Sequence, residues 1–168
     1  MVLLVTFSCY GSHVPGDRRG SFDHVRNGER RFVWPDAGLE QDRRGRMRGP
    51  PFLLSCPQSR ALVRDSVLKV CEFRGWFLYA LHVRTNHVHG IVEADEPSRV
   101  LNDWKAYATR ALRTGVLVGT DQPVWAHGGS TRRITSPAGL EHAIRYVLQR
   151  QGEAMEIFSA VPRPHGRG

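Results

Sequence analysis

Two imidazoles one residue apart open the chemistry of this chain. They are His87 and His89, in "TNHVHGIVEAD", which runs from Thr85 to Asp95. In an extended strand alternate side chains share a face, so both histidines project from one side while Val88 turns to the other. Their backbones then stand roughly 6.5–7 Å apart, a span that one cation can bridge. Divalent metals bind imidazole readily.

Three arrangements use such a pair. A nucleotide-hydrolase triad needs a third alternating histidine, and position 91 is Ile. A cupin-type metal site follows His-x-His with a carboxylate, and Glu93 lies on the same strand face, but cupins are almost entirely strand. A His-hydrophobe-His nuclease site, the HUH type, adds a tyrosine from a helix. The tyrosines are Tyr10, Tyr79, Tyr107 and Tyr146. Tyr10 and Tyr79 fall on or beside expected strands, and Tyr107 on a helix upstream of the "WAHGGSTRRI" strand. Tyr146 sits on the last expected helix, whose apolar stripe is Leu140, Ala143, Ile144, Val147 and Leu148. At ~100° per residue Tyr146 points roughly 120° away from the centre of that stripe, and His142 and Gln149 share its side. An amphipathic helix with an edge tyrosine would read the same way.

The surrounding elements follow from periodicity. "VLLVTFSCY" reads as a buried opening strand. "CPQSRALVRDSVLKVCEFRG" carries Leu62, Val63, Val67, Val70 and Cys71 on one helical face and stops at Gly75. "WFLYALHV" and "HVHGIV" form a hairpin around a short "RTN" connection. Val100, Leu101, Trp104, Ala108, Ala111 and Leu112 mark a second helix ending at Gly115. "PVWAHGGSTRRIT" is a strand interrupted by a bulge or bend at Gly128 and Gly129. Ser136 and Pro137 start the last helix and Gly152 closes it. The order predicts an α+β sandwich: a small, mainly antiparallel sheet with helices packed on it. One domain over residues 1–156 is expected, with an irregular Arg/Gly/Pro-rich insertion at about 11–51 and a disordered tail over 157–168.

The chain has 168 residues and a formal net charge of +8, with a pI near 10.2. Arginine supplies nearly all the positive charge, with lysine only at Lys69 and Lys105. That balance favours a polyanionic partner, nucleic acid ahead of a membrane surface, although solvated arginines alone also keep a protein soluble. Cys9, Cys56 and Cys71 are odd in number and follow no ligand spacing, which argues against a disulfide framework and for a reducing, cytoplasmic setting. The apolar start is too short to span a bilayer.

With these residues in place, the chain from about "VTFSCYG" to "YVLQRQG" resembles the single-tyrosine HUH transposases of small bacterial insertion sequences and the REP-associated tyrosine transposases. "NHVHGIV" is similar to their His-hydrophobe-His strand and "DWKAYATRAL" to the Lys-containing helix after it. "VWAHGGSTRRI" resembles the next strand region and "AIRYV" the nucleophile helix. The resemblance implies a ferredoxin-like HUH endonuclease fold and a homodimer. It also implies cleavage and rejoining of single-stranded or hairpin DNA through a covalent 5′-phosphotyrosine, with Tyr146 as nucleophile and His87 and His89 holding Mg²⁺ or Mn²⁺. In the family a Gln or Asn four residues after the tyrosine completes the metal site; here that position is Arg150, a departure. Gln149 lies on the right helical face. Gln151 would be turned toward the apolar stripe unless the helix distorts, and His142 is a further fallback. Arg99, Lys105, Arg110, Arg132 and Arg133 are candidates for DNA-backbone contacts. Arg43 and Arg44 could act as a phosphate-binding arm, and Trp34 or Trp125 could stack on an unpaired base. Two alternatives stay open: a domesticated relative acting on host palindromic repeats, and a hairpin-DNA-binding module without cleavage.

Overall fold

The computed structural model describes residues 1–18, 20–24 and 30–160. Its centre is a five-stranded sheet in the order β6-β1-β5-β4-β7, every neighbouring pair antiparallel. The strands are β1 Val2–Ser8, β4 Phe77–Val83, β5 His87–Glu93, β6 Ser130–Ile134 and β7 Glu156–Ser159. The long helices are α2 Pro57–Arg74, α3 Pro97–Thr114 and α4 Pro137–Gln149. The succession β1-α2-β4-β5-α3-β6, with β6 beside β1 and β5 between β1 and β4, is the ferredoxin-like double βαβ arrangement. The chain is therefore an α+β protein of the expected class, with α4 and β7 added to that unit.

Alternation along the strands divides the core. Leu3, Val5, Phe7, Leu81, Val83, Val88 and Val92 face one way and pack with Val63, Val67 and Val70 of α2 and Val100, Trp104, Ala108 and Leu112 of α3. Leu4, Ala80 and Ile91 face the other way and pack with Ala143 and Val147 of α4, flanked by Leu140, Ile144 and Leu148. Gly90 is required between the layers: a Cβ there would stand 2.6 Å from the Trp104 ring. The terminators act as the sequence suggests for α2, where Gly75 adopts φ 68°, and for the start of α4, where Ser136 accepts a hydrogen bond from the Gly139 N–H at 3.1 Å.

Three expectations need correction. The stretch at about 11–51 is not irregular throughout. Within it β2 Ser21–His24 pairs with β3 Arg30–Val33, and Asp36 caps α1 Ala37–Gly45. Four-residue strands are too short to show alternation, and α1 buries no residue, so neither had a periodic signature. The tail does not begin at 157. β7 pairs with Ala80–Val83 at the sheet edge, which its short "EIFS" run did not announce; positions 161–168 lie outside the described residues. Finally, α4 ends at Gln149, three residues before Gly152. The Arg150 N–H still reaches the Tyr146 carbonyl at 3.1 Å, but no helical turn follows.

Candidate functional site

Strand register builds the site. His89 of β5 lies opposite Thr6 of β1 and His82 of β4, so all three side chains occupy the α4 face of the sheet. His87, two residues earlier, shares that face. The imidazole centroids of His87 and His89 are 4.4 Å apart at an interplanar angle of 74°. The ring of Tyr146 on α4 meets that of His89 at an interplanar angle of 73°, with centroids 6.1 Å apart. The tyrosine is 38% exposed while its neighbours Ala143 and Val147 are buried, as its position off the apolar stripe requires. A cleft of about 450 Å³ lies in front, lined among others by Thr6, His89, Ser130, Arg132, His142 and Tyr146.

Both histidines are oriented through Nδ1. Asn86 Oδ1 stands 2.6 Å from His87 Nδ1 and Thr6 Oγ1 stands 2.8 Å from His89 Nδ1. With Nδ1–H donating to the Asn86 oxygen, His87 carries its lone pair on Nε2. That Nε2 is buried and has no hydrogen-bond partner among the described residues. Burial pushes the His87 pKa down to about 4 and that of His89 to about 3; neighbouring imidazoles and the Arg84 guanidinium add to the fall. Both rings are therefore neutral at pH 7, the state a metal ligand needs.

Gln151, not Gln149, approaches the pair. Its amide interacts with both rings and favours their protonated forms, the effect expected of an acceptor. The contact is loose, since no well-formed hydrogen bond closes on His87 Nε2. Gln149 is exposed at the last position of α4. Helical geometry would have kept Gln151 away, but the early end of α4 frees it. His142 stands on the cleft lining one turn before Tyr146. Among the described residues no three His, Cys, Asp or Glu side chains cluster to hold a metal. Two imidazoles and an amide oxygen are thus the donor set that this site offers. The orphaned Nε2 and the Nδ1 partners behind both rings fit a divalent cation.

Glu93, the carboxylate of the cupin-type alternative, accepts a hydrogen bond from the Tyr79 hydroxyl at 3.0 Å, and the helices packed on the sheet exclude that fold. Of the basic candidates, Arg132 lines the cleft. Arg133 follows it on β6 and pairs with Leu3 rather than Leu4, so it turns to the opposite face. Arg99 and Arg110 belong to α3, which packs across the sheet from Tyr146. Lys105 is committed internally: its ammonium donates to the carbonyls of Ala126, at 2.8 Å, and of Gly128, and burial lowers its pKa to about 8. Trp125 is equally committed, donating to the Lys105 carbonyl and packing edge-on against Phe7. Trp34 remains 76% exposed. Arg43 and Arg44 lie in the last turn of α1, where Arg44 pairs with Glu40 at 2.7 Å.

Sequence reasoning missed Thr6 and Asn86, which orient the imidazoles, and His82. The His82 ring is fully buried; its Nδ1 donates to the Val147 carbonyl at 3.0 Å and its Nε2 accepts from the Met155 N–H at 3.2 Å. Only the strand register, which pairs His82 and Thr6 with His89, would have pointed to those two, while Asn86 directly precedes His87 in the sequence.

No protein-family model matches the chain, and no curated protein matches its sequence. Among solved structures it is similar to a REP-associated tyrosine transposase bound to a REP hairpin, with a TM-score of 0.50 and 14% identity over 88% of this chain. The match spans 64% of that structure's chain. At this identity the likeness is one of fold, and it agrees with the α+β sandwich described above. No helix among the described residues is long and apolar enough to cross a membrane.

Proposed function

We propose that the protein cleaves and rejoins single-stranded DNA next to a hairpin, with Tyr146 as nucleophile and His87, His89 and Gln151 as ligands of Mg²⁺ or Mn²⁺. One observation carries this reading: the phenol of α4 shares an open cleft with His89, whose ring packs against that of His87. The fold shared with a hairpin-bound transposase supports the substrate class.

The residues divide the work. Thr6 and Asn86 hold the imidazoles with Nε2 available. When bound, the cation would supply electrophilic stabilisation of the phosphate and neutralise charge in the transition state. Arg132 would meet a neighbouring phosphate on the cleft wall. The Tyr146 hydroxyl gives up its proton to solvent as its oxygen attacks phosphorus; the P–O3′ bond breaks, the leaving oxygen takes up a proton from solvent to become a 3′-hydroxyl, and the 5′-phosphate stays esterified to the tyrosine. Attack by another 3′-hydroxyl reverses the step and restores the phenol, so no external energy source is required. Both halves of the site come from one chain, so the homodimer that the resemblance implies is not needed to complete it.

The test is incubation with short hairpin oligonucleotides carrying single-stranded flanks, plus Mn²⁺, followed by a denaturing gel. The native chain forms a covalent protein–DNA species; Tyr146→Phe forms none, and replacing His87 and His89 together by Ala abolishes it. A retarded band under native conditions with no covalent species at any metal concentration would leave a binding module and overturn the nuclease reading.

A further inference from the structure

Gln151 is the ligand candidate that sequence periodicity disfavours, so something must carry it to the imidazoles. The segment after α4 is stapled to the β4–β5 turn at two points and to the end of β4 at a third. The Arg84 Nη1 donates to the Glu153 carbonyl at 2.8 Å. The Thr85 hydroxyl lies 3.5 Å from Met155 Sδ, and the Met155 N–H donates to His82 Nε2 at 3.2 Å. Between the first staple and Gln151 sits Gly152 at φ 79°, in the left-handed region. The Arg84 guanidinium covers it, with its nearest nitrogen 3.5 Å from where a Cβ would stand. The turn that bears Arg84 is the same one that enters β5: the Arg84 N–H donates to the His87 carbonyl at 2.9 Å.

We infer that Arg84 is a positioning residue for metal binding: by clamping the Gly152–Glu153 backbone to the turn that carries His87, it seats Gln151 beside the two imidazoles. The inference rests on the proposed metal role of His87, His89 and Gln151. It adds a residue that need not touch metal or DNA and that no sequence pattern marks. Arg84 acts through the chain: its side chain holds a carbonyl two residues beyond Gln151, so its loss frees the stretch from Gln151 to Glu153, while Met155 stays tied to Thr85 and His82 and the imidazoles keep their Nδ1 partners.

The test is titration of the full chain with Mn²⁺ alone, read by calorimetry and by the paramagnetic resonance signal of free Mn²⁺, on the native protein, Arg84→Ala, Gln151→Ala and the double variant. Removal of an outer-shell partner lowers metal affinity by about 10–100-fold. Loss of the guanidinium charge would by itself favour a cation at the imidazoles, so a weakening reads the clamp: Arg84→Ala is expected to weaken Mn²⁺ binding about 10-fold, Gln151→Ala at least as much, and the double variant no more than Gln151→Ala alone. Arg84→Lys, which keeps the charge and can still reach a carbonyl, should recover part of the loss. Thermal melting without metal identifies any variant that fails to fold, and Arg84→Gln then replaces Arg84→Ala under the same criterion. Additive losses in the double variant, or unchanged Mn²⁺ affinity in a folded Arg84 variant, would overturn the inference while leaving the metal site intact. Absence of Mn²⁺ binding by the native chain would instead overturn the metal reading beneath it.

Discussion

His87 and His89 are buried as neutral bases, and that has a measurable consequence before any DNA is added. Their folded pKa values, about 4 and about 3, lie below the ordinary value of 6.5. Between these limits the unfolded chain binds more protons than the folded one. The stability that the neutral pair contributes is therefore complete above pH 6.5 and is lost as pH falls through about 4 toward about 3. Urea denaturation of metal-free protein should show a midpoint that drops across this window. Replacing both histidines by Ala should flatten the drop, and an equal pH dependence in the two proteins would contradict the burial argument. At this scale the sequence was most informative. The spacing of His87 and His89 and the off-stripe position of Tyr146 follow from helix and strand periods, which packing did not alter. The partner of His89 was not legible, because Thr6 is 83 residues away and only pairing of β1 with β5 joins them, whereas Asn86 stands beside His87 in the sequence and its role follows from its rotamer.

The elements that hold these residues depend on close approach between layers. β5 lies against α3 at Gly90, where the Trp104 ring occupies the space a Cβ would need. Gly90→Ala should destabilise the fold by about 1–3 kcal/mol through overpacking. The change is read as a lower urea midpoint, and no shift would mean that Trp104 can move aside. Because His89 precedes Gly90 on β5, a displaced strand would also disturb the imidazole pair. Strands and helices with strong apolar periodicity were readable here: β1, β4, β5, α2, α3 and α4. Element ends were less so. Gly152 is a reasonable stop signal for α4, but the helix ends at Gln149, where the following segment is drawn to Arg84 and His82 of the neighbouring hairpin. Those few residues decide which glutamine meets the imidazoles. β7 was hidden for a related reason: a four-residue edge strand earns its place by pairing with β4, not by its own pattern.

For the whole molecule, the formal charge of +8 reads as affinity for a polyanion, yet the fold sorts the basic residues into different tasks. Arg132 faces the cleft, Arg99 and Arg110 stand across the sheet, and Lys105 braces the segment leading into β6. Affinity for hairpin oligonucleotides should fall as salt rises. Loss of one phosphate contact in Arg132→Ala should reduce the slope of log affinity against log salt by about 1. Lys105→Met should instead lower stability, because it leaves the Ala126 and Gly128 carbonyls without their donor. A salt slope unchanged by Arg132→Ala would remove that residue from the DNA path. Composition could give the sign of the partner's charge but not this division, which follows from which face of the sheet each side chain leaves.

The most direct test of the account is to map the DNA attachment. After reaction with a hairpin oligonucleotide and Mn²⁺, nuclease trimming and trypsin digestion should yield the short peptide from Tyr146 to Arg150 carrying a nucleotide, identified by mass spectrometry. The account predicts that modification on Tyr146 and on no other tyrosine. A nucleotide on Tyr10, Tyr79 or Tyr107, or DNA cut by these conditions with Tyr146 unmodified throughout, would contradict it.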